Sequence, residues 1–267
     1  MKDDHMMEGG EHEEDGETLY HEETDVKEGL VVSLNVNPVP YNVGVPLRMD
    51  FFVNQKPVNL PAQAGVPILA SQLELEHTKL MHVVGLRSDM NEFFHIHPEF
   101  LADNPSIFSI DHVFRKPGLY KMWSSVKKDG VDHTFGHPEV NVNGSGPREE
   151  KKISFSRNVI TRDYQVSLAS SDTVVKNREV ELSFDIHSLT GQEITVEDYL
   201  GAQMHLVLIK DDLSQFVHTH PHEGTDGHSN SSNLRLIKTA NANGDERADE
   251  VIGFTVTFPE AGLYKAF

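Results

Sequence analysis

The chain has 267 residues and a formal charge of −19, from 42 acids against 23 lysines and arginines, and it contains no cysteine. The length suits two ordinary domains. The charge argues against nucleic acid as a partner. The missing thiols exclude disulfides, iron–sulfur clusters and blue-copper sites, while sixteen histidines and eight methionines stand out in the composition.

Residues 1–28 hold twelve acids and two lysines, with His5, His12, His21 and the pair Met6-Met7 among them. So polar a segment buries too little apolar area to offset its conformational entropy, and a disordered acidic tail is expected. His and Met in such a tract also suit loose metal collection. No apolar run is long enough to span a bilayer, and residues 1–28 do not read as a signal peptide. An extracytoplasmic protein whose leader is not in this chain is the expectation.

From Gly29 onward, short apolar runs alternate with Pro-, Gly- and Asn-bearing turns: LVVSLNVNP, LRMDFFV, LELEH, SIFSIDHVF, LYKMWSSV and HPEVNVNG. No 3.6-residue periodicity is sustained, so an all-β sandwich is expected over residues 29–142. NGSGPREEKK, residues 143–152, reads as a linker. Residues 153–267 then repeat the first unit in order. YQVSLAS answers VVSLNVN, EVELSFDIHS answers LRMDFFVNQ, and GLYK recurs at Gly118 to Lys121 and Gly262 to Lys265. Ordered similarity at both ends of a unit indicates a tandem duplication.

The strongest repeat is MHVVGLRSDMNEFFHIHP, from Met81 to Pro98, matched by MHLVLIKDDLSQFVHTHP, from Met204 to Pro221. Both read as β-hairpins with the spacing His-x12-His-x-His. Alternation along a strand puts His95 and His97 on one face, and likewise His218 and His220. The third group depends on the turn. A two-residue turn at Ser88-Asp89 sets His82 opposite His95, and a three-residue turn from Ser88 to Met90 brings Met81 to that face, because a one-residue slip inverts a strand. Met204 and His205 pose the same choice. Three imidazoles suit copper or zinc, and a thioether favours Cu(I). A lone strand histidine is ordinarily a surface residue and a lone methionine ordinarily core, but one spacing kept twice in diverged units points to metal. His77, His112, His133, His137 and His187 have no counterpart in the other unit. His133 and His137 are the two that the last strand of unit one could bring near its site.

Two differences separate the copies. The second carries 21 more residues between its His-x-His-Pro and GLYK. This insertion, from His222 to Glu250, is polar and Gly/Asn-rich, reads as a long surface loop, and adds His222 and His228. The second copy also stops two residues past Lys265, where the first runs on for 23 to Gly144. That leaves an expected open edge in domain two, from truncation or for strand addition by a partner or a second copy.

Other motif readings fail. His-x-His-Pro lacks the following Ser-x-x-Asp of a JAMM metalloprotease, since Ser106 is followed three residues on by Ser109. No Ser/His/Asp arrangement or phosphate-binding glycine loop is visible. The hairpins together with the two GLYK stretches resemble bacterial extracytoplasmic Ig-like or cupredoxin-like domains, similar to the YtkA-like and CopC-like copper-associated modules. That resemblance implies a sandwich fold, export and copper binding. The expectation is a non-enzymatic copper (alternatively zinc) protein of the cell envelope. Its metal residues are His82, His95, His97, His205, His218 and His220, with Met81 and Met204 as thioether candidates. The alternative is a structural or adhesive surface protein of tandem Ig-like units that assemble by strand addition.

Overall fold

The computed structural model describes residues 18–22, 29–55, 65–146, 150–221 (apart from 152, 172, 193, 195 and 199–201), 235–240 and 246–267. The fold is nearly all β, in two compact units: Met1–Gly85 with Phe94–Ser145, and Leu86–Phe93 with Gly146–Phe267. No helix among the described residues is long and apolar enough to cross a membrane.

The first half contains β1 (Thr18–Glu22), β2 (Leu30–Asn37), β3 (Pro46–Gln55), β4 (Val66–Pro67), β5 (His82–Arg87) and β6 (Phe93–Ile96). It continues with β7 (Glu99–Leu101), β8 (Asn104–Val113), β9 (Gly118–Lys128), β10 (Val131–Gly136) and β11 (Val140–Val142). One sheet runs β1-β10-β9-β5-β6, with β11 also on β9, and the other runs β2-β3-β8-β7, with β4 on β3. Val32, Met49, Phe51 and Phe108 of the second sheet meet Val83, Tyr120, Met122 and Phe135 of the first in one buried cluster. This is a sandwich core, built from the alternate residues of each strand. LELEH forms no strand. Glu74 and Glu76 make only isolated bridges, to Lys127 and Lys79.

β1 lies inside the segment expected to lack order. It pairs in parallel with β10, Thr18 opposite Asp132 through Glu22 opposite Gly136. Main-chain bonding to an available strand edge needs no apolar side chains, so residues 18–22 escape the argument from composition. Residues 1–17 and 23–28, with His5 and His12, lie outside the described residues.

The second half contains β12 (Asn158–Ile160), β13 (Tyr164–Ser170), β14 (Glu179–Ser188), β15 (Leu206–Lys210) and β16 (Phe216–Thr219). β17 (Arg235–Ala240), β18 (Glu246–Thr257) and β19 (Tyr264–Ala266) complete it. Its sheets are β12-β13-β14-β18-β17 and β16-β15-β19. Leu182, Phe184, Leu206, Leu208, Ile252 and Phe254 form the core between them.

The insertion is not simply a loop. Arg235 to Ala240 pairs antiparallel with Glu246 to Val251, extending β18 into a hairpin. Its stretch RLIKTA alternates strand-forming residues, a signal that the polar composition around it masks. His222 and His228 lie outside the described residues. The GLYK repeat also has a structural meaning. Tyr120 donates its hydroxyl to the carbonyl of Lys116 at 2.8 Å, and Tyr264 does the same to Glu260 at 3.0 Å. Each tyrosine thereby ties the start of its strand to the turn before it, as a tyrosine corner does.

Candidate metal centre

Each histidine hairpin is set by a four-residue loop, longer than either turn considered from sequence. Arg87 N–H bonds Glu92 O at 3.0 Å and Lys210 N–H bonds Gln215 O at 3.0 Å, closing 88–91 and 211–214. The two loops share their construction. Met90 and Leu213 take positive φ, 61° and 62°. Asp89 Oδ1 accepts from Asn91 N–H at 3.0 Å, and Asp212 Oδ1 accepts from Ser214 N–H at 3.0 Å. These are Asx-type turns, which short acidic side chains make readily.

Loop length fixes the face. Counting outward from Arg87 and Glu92 sets Val84 opposite His95 and His82 opposite His97. In the second hairpin Val207 pairs with His218 and Leu206 with Thr219, so the next pair outward is His205 with His220. A four-residue loop has the parity of a two-residue one, so His82 and His205, and not the methionines, share the histidine face. Met81 is fully buried in the first core cluster with Val83, and Phe94 and Ile96 pack against the same cluster. Met204 packs against the second core beside Leu206 and Leu208. The thioether candidates are therefore core residues.

In the first hairpin His82 Nδ1 faces a ring nitrogen of each of the other two histidines. His82 Nδ1 lies 3.3 Å from His95 Nε2 and 3.1 Å from His97 Nε2. The His95 and His97 ring centroids are 4.7 Å apart. His82 is only 2% exposed. Its other nitrogen, Nε2, lies 3.0 Å from the carbonyl oxygen of Glu76. A carbonyl can only accept, so Nε2 carries the hydrogen and the Nδ1 lone pair of the neutral ring faces His95 and His97.

The second hairpin repeats the polarity. His220 Nε2 lies 2.8 Å from His205 Nδ1. His205, His218 and His220 each place a ring nitrogen within 4.8 Å of the others. The centroids of His218 and His220 are 4.6 Å apart, and those of His205 and His218 are 5.8 Å apart.

These spacings can be tested against a metal. Four-coordinate Zn–N bonds of about 2.0–2.1 Å imply N···N edges of about 3.3–3.4 Å. The contacts to His82 Nδ1 nearly match those edges without any ion to draw the rings together. A hydrogen-bonded cluster fits less well, because the single in-plane lone pair of Nδ1 faces two ring nitrogens. Three imidazoles leave a fourth position open, and the donor set fits a borderline divalent ion.

His77, His112, His133, His137 and His187 lie outside the two hairpins. His112 packs its ring 4.2 Å from that of Phe94. His133, on β10, is buried and stacks with Phe135. His137 is fully buried, with Nε2 2.8 Å from Ser124 Oγ, and burial, with Lys121 adding to it, pushes its pKa down to about 3. His187 lies on β14 opposite Gln165. His77 sits in the turn between Glu76 and Lys79. The sequence offered no sign of the Glu76 carbonyl, since any residue supplies a main-chain oxygen. The Glu76 side chain is itself unusual. Burial first, then the nearby Asp132 carboxylate, raises its pKa to about 7 against the opposing charge of Lys127.

Fold and hairpins together define a duplicated β-sandwich protein with a three-histidine hairpin in each copy. The chain belongs to the family described as a domain of unknown function (DUF8832), which matches it twice, at residues 26–144 and 158–267. No curated protein matches it.

Proposed function

We propose that the protein is a non-enzymatic metal-binding protein, with one three-histidine site per domain: His82, His95 and His97, then His205, His218 and His220. The observation that carries this is the repeated convergence of ring nitrogens with the same polarity, Nε2 of the last histidine toward Nδ1 of the first, at 3.1 Å and 2.8 Å. Packing alone gives no reason for two diverged domains to hold three polar rings so close.

Copper is the proposed metal and zinc the alternative. With both methionines in the cores, copper no longer rests on a thioether. It rests on the resemblance to copper-associated modules and on the preference of nitrogen sites for Cu(II) over Zn(II) in the divalent series. An all-imidazole set with an open position suits sequestration or hand-over of an ion in the cell envelope, outside the cytoplasm.

Metal analysis of the purified protein after loading with Cu(II) or Zn(II) tests the reading. About two ions per chain are expected, one for each three-nitrogen centre. Both should be lost when His95, His97, His218 and His220 are all replaced by Ala. Equal metal content in the two proteins would sink the proposal and favour a hydrogen-bonded histidine cluster.

A further inference from the structure

We infer that the edge of the second domain around β12, from Lys151 to Arg162, docks on an anionic lipid surface. The inference does not rest on the proposed metal binding.

Residues 153–164 are exposed without interruption. They include β12, the outer strand of its sheet among the described residues. A strand of a sandwich ordinarily turns one face inward, so every second apolar residue is hidden. This strand hides none. Phe155 is 80% exposed, Ile160 69% and Val159 60%. Val159 and Ile160 are adjacent and point to opposite faces of the sheet, so the edge carries apolar groups into solvent on both sides.

The charge of this stretch is as unusual as its exposure. Lys151, Lys152, Arg157 and Arg162 fall within it and no acid lies between the first and the last, in a chain of formal charge −19. Lys151 leans on the carbonyl and carboxylate of Asp211, whereas Arg157 and Arg162 are exposed. Exposed guanidinium groups beside exposed aromatic and aliphatic side chains match a headgroup layer, where phosphate lies next to hydrocarbon. The more acidic remainder of the chain is repelled by the same surface, which makes this edge the favoured point of approach.

An added protein strand fits the edge less well. Leu168 N–H bonds Arg157 O at 2.7 Å and Thr161 N–H bonds Tyr164 O at 2.8 Å. The odd-numbered residues therefore turn their main chain to β13, and the outward groups belong to Asn158 and Ile160. Ser156 already occupies the first of these. Its Oγ donates to Asn158 O at 2.7 Å and accepts from Asn158 N–H at 3.2 Å. Only Ile160 is left to pair, so the edge is blunted as a template for strand addition. A second copy would also bring the same cations against these. A fluid interface needs no main-chain groups and closes around apolar side chains on both faces.

Flotation of the full-length protein with vesicles of phosphatidylcholine, with and without phosphatidylglycerol, tests the inference. A chelator in the assay keeps metal from bridging histidine to lipid. Wild type should float with the anionic vesicles and not with the neutral ones, and added salt should release it. Arg157→Gln and Arg162→Gln should each weaken partition about five-fold, the contribution of one cation near such a surface. Phe155→Ser with Ile160→Ser should weaken it about ten-fold or more. The urea midpoint of that double variant should stay in place, since neither side chain belongs to the core of the domain. No flotation of wild type, or equal flotation of the double variant, would overturn the inference. So would a dimer, seen in sedimentation, that the double variant dissolves, because the edge would then be a contact between copies.

Discussion

Adjacent residues in these hairpins do opposite jobs, and substitution should separate them. Met81 faces the core and His82 faces the proposed metal centre, so Met81→Leu conserves volume and should cost less than about 1.5 kcal/mol. It should leave the metal count unchanged, whereas His82→Ala should lose one ion without comparable destabilisation. Metal analysis beside chemical denaturation checks both, and loss of an ion in Met81→Leu would return the thioether to the ligand set. Gly85 makes a second residue-scale case. A Cβ there would come within 2.0 Å of the Phe94 ring. That ring is packed by Phe114 and Tyr120 and has little room to move. In the second copy the equivalent pair is Leu208 with Val217, directly opposite one another. The two copies have exchanged small for large across one strand pair and kept the filled volume. Gly85→Ala should therefore cost about 1–3 kcal/mol as an overpacking change, most of it recovered in Gly85→Ala with Phe94→Leu. Equal stability of the single and double variants in urea would show that the ring is free to yield.

At the level of elements, both hairpins use the same loop but anchor it differently. Arg87 holds Asp89 with two contacts, Nε to Oδ1 at 2.9 Å and Nη2 to Oδ2 at 2.7 Å, and both side chains are largely buried. In the second loop Lys210 meets Asp212 at 3.0 Å and Glu260 at 2.7 Å, with Asp212 half exposed. Asp89→Ala strips a buried guanidinium of its carboxylate and should cost about 3 kcal/mol or more. Asp212→Ala opens a solvated pair and should cost about 1 kcal/mol or less. Similar losses in both variants, measured by thermal or urea unfolding, would contradict this difference in anchoring. The loops also show where sequence reading stops. Period-two alternation made the sandwich and the shared face of His95 with His97, and of His218 with His220, legible, and the repeated spacing made the duplication legible. The third member of each histidine cluster was not, because it turns on loop length, and SDMN or DDLS contains no glycine to mark where φ turns positive. Met90 and Leu213 take that conformation without the residue that usually signals it. β1 and the β17 hairpin were missed for a related reason. Main-chain pairing to a free edge leaves no hydrophobic pattern, and RLIKTA is embedded in polar sequence.

For the whole molecule, two buried ionisable groups of the first domain predict opposing responses to pH. His137 is fully buried, packs edge-on to Phe51 at 5.5 Å and shares a hydrogen bond with Ser124. Its folded pKa, about 3, lies below the ordinary value of 6.5. The unfolded chain therefore takes the proton first as pH falls. The stabilisation is fully present above about pH 6.5 and is lost toward pH 3, at up to about 1.4 kcal/mol per pH unit. Glu76 acts in the opposite sense. Its pKa is raised from 4.5 to about 7, so its contribution is present below pH 4.5 and is lost as pH rises through 7. Between about pH 4.5 and 6.5 the two slopes oppose one another, and the wild-type profile alone would not show either. Comparison with His137→Gln isolates one of them, because Glu76 and the hairpin histidines are common to both proteins and cancel in the difference. Glutamine can keep a hydrogen bond to Ser124 but cannot take up a proton in this range. Wild type should be the more stable protein at pH 7, by about 1 kcal/mol or more from better packing of the ring. That advantage should shrink steadily as the pH is lowered from 6.5 and reverse sign before pH 4. Urea unfolding of metal-free protein at half-unit steps of pH gives the difference curve. Parallel profiles from pH 7 to pH 4 would mean that His137 takes up its proton as readily in the folded domain as in the unfolded chain, and that its burial does not oppose the charge.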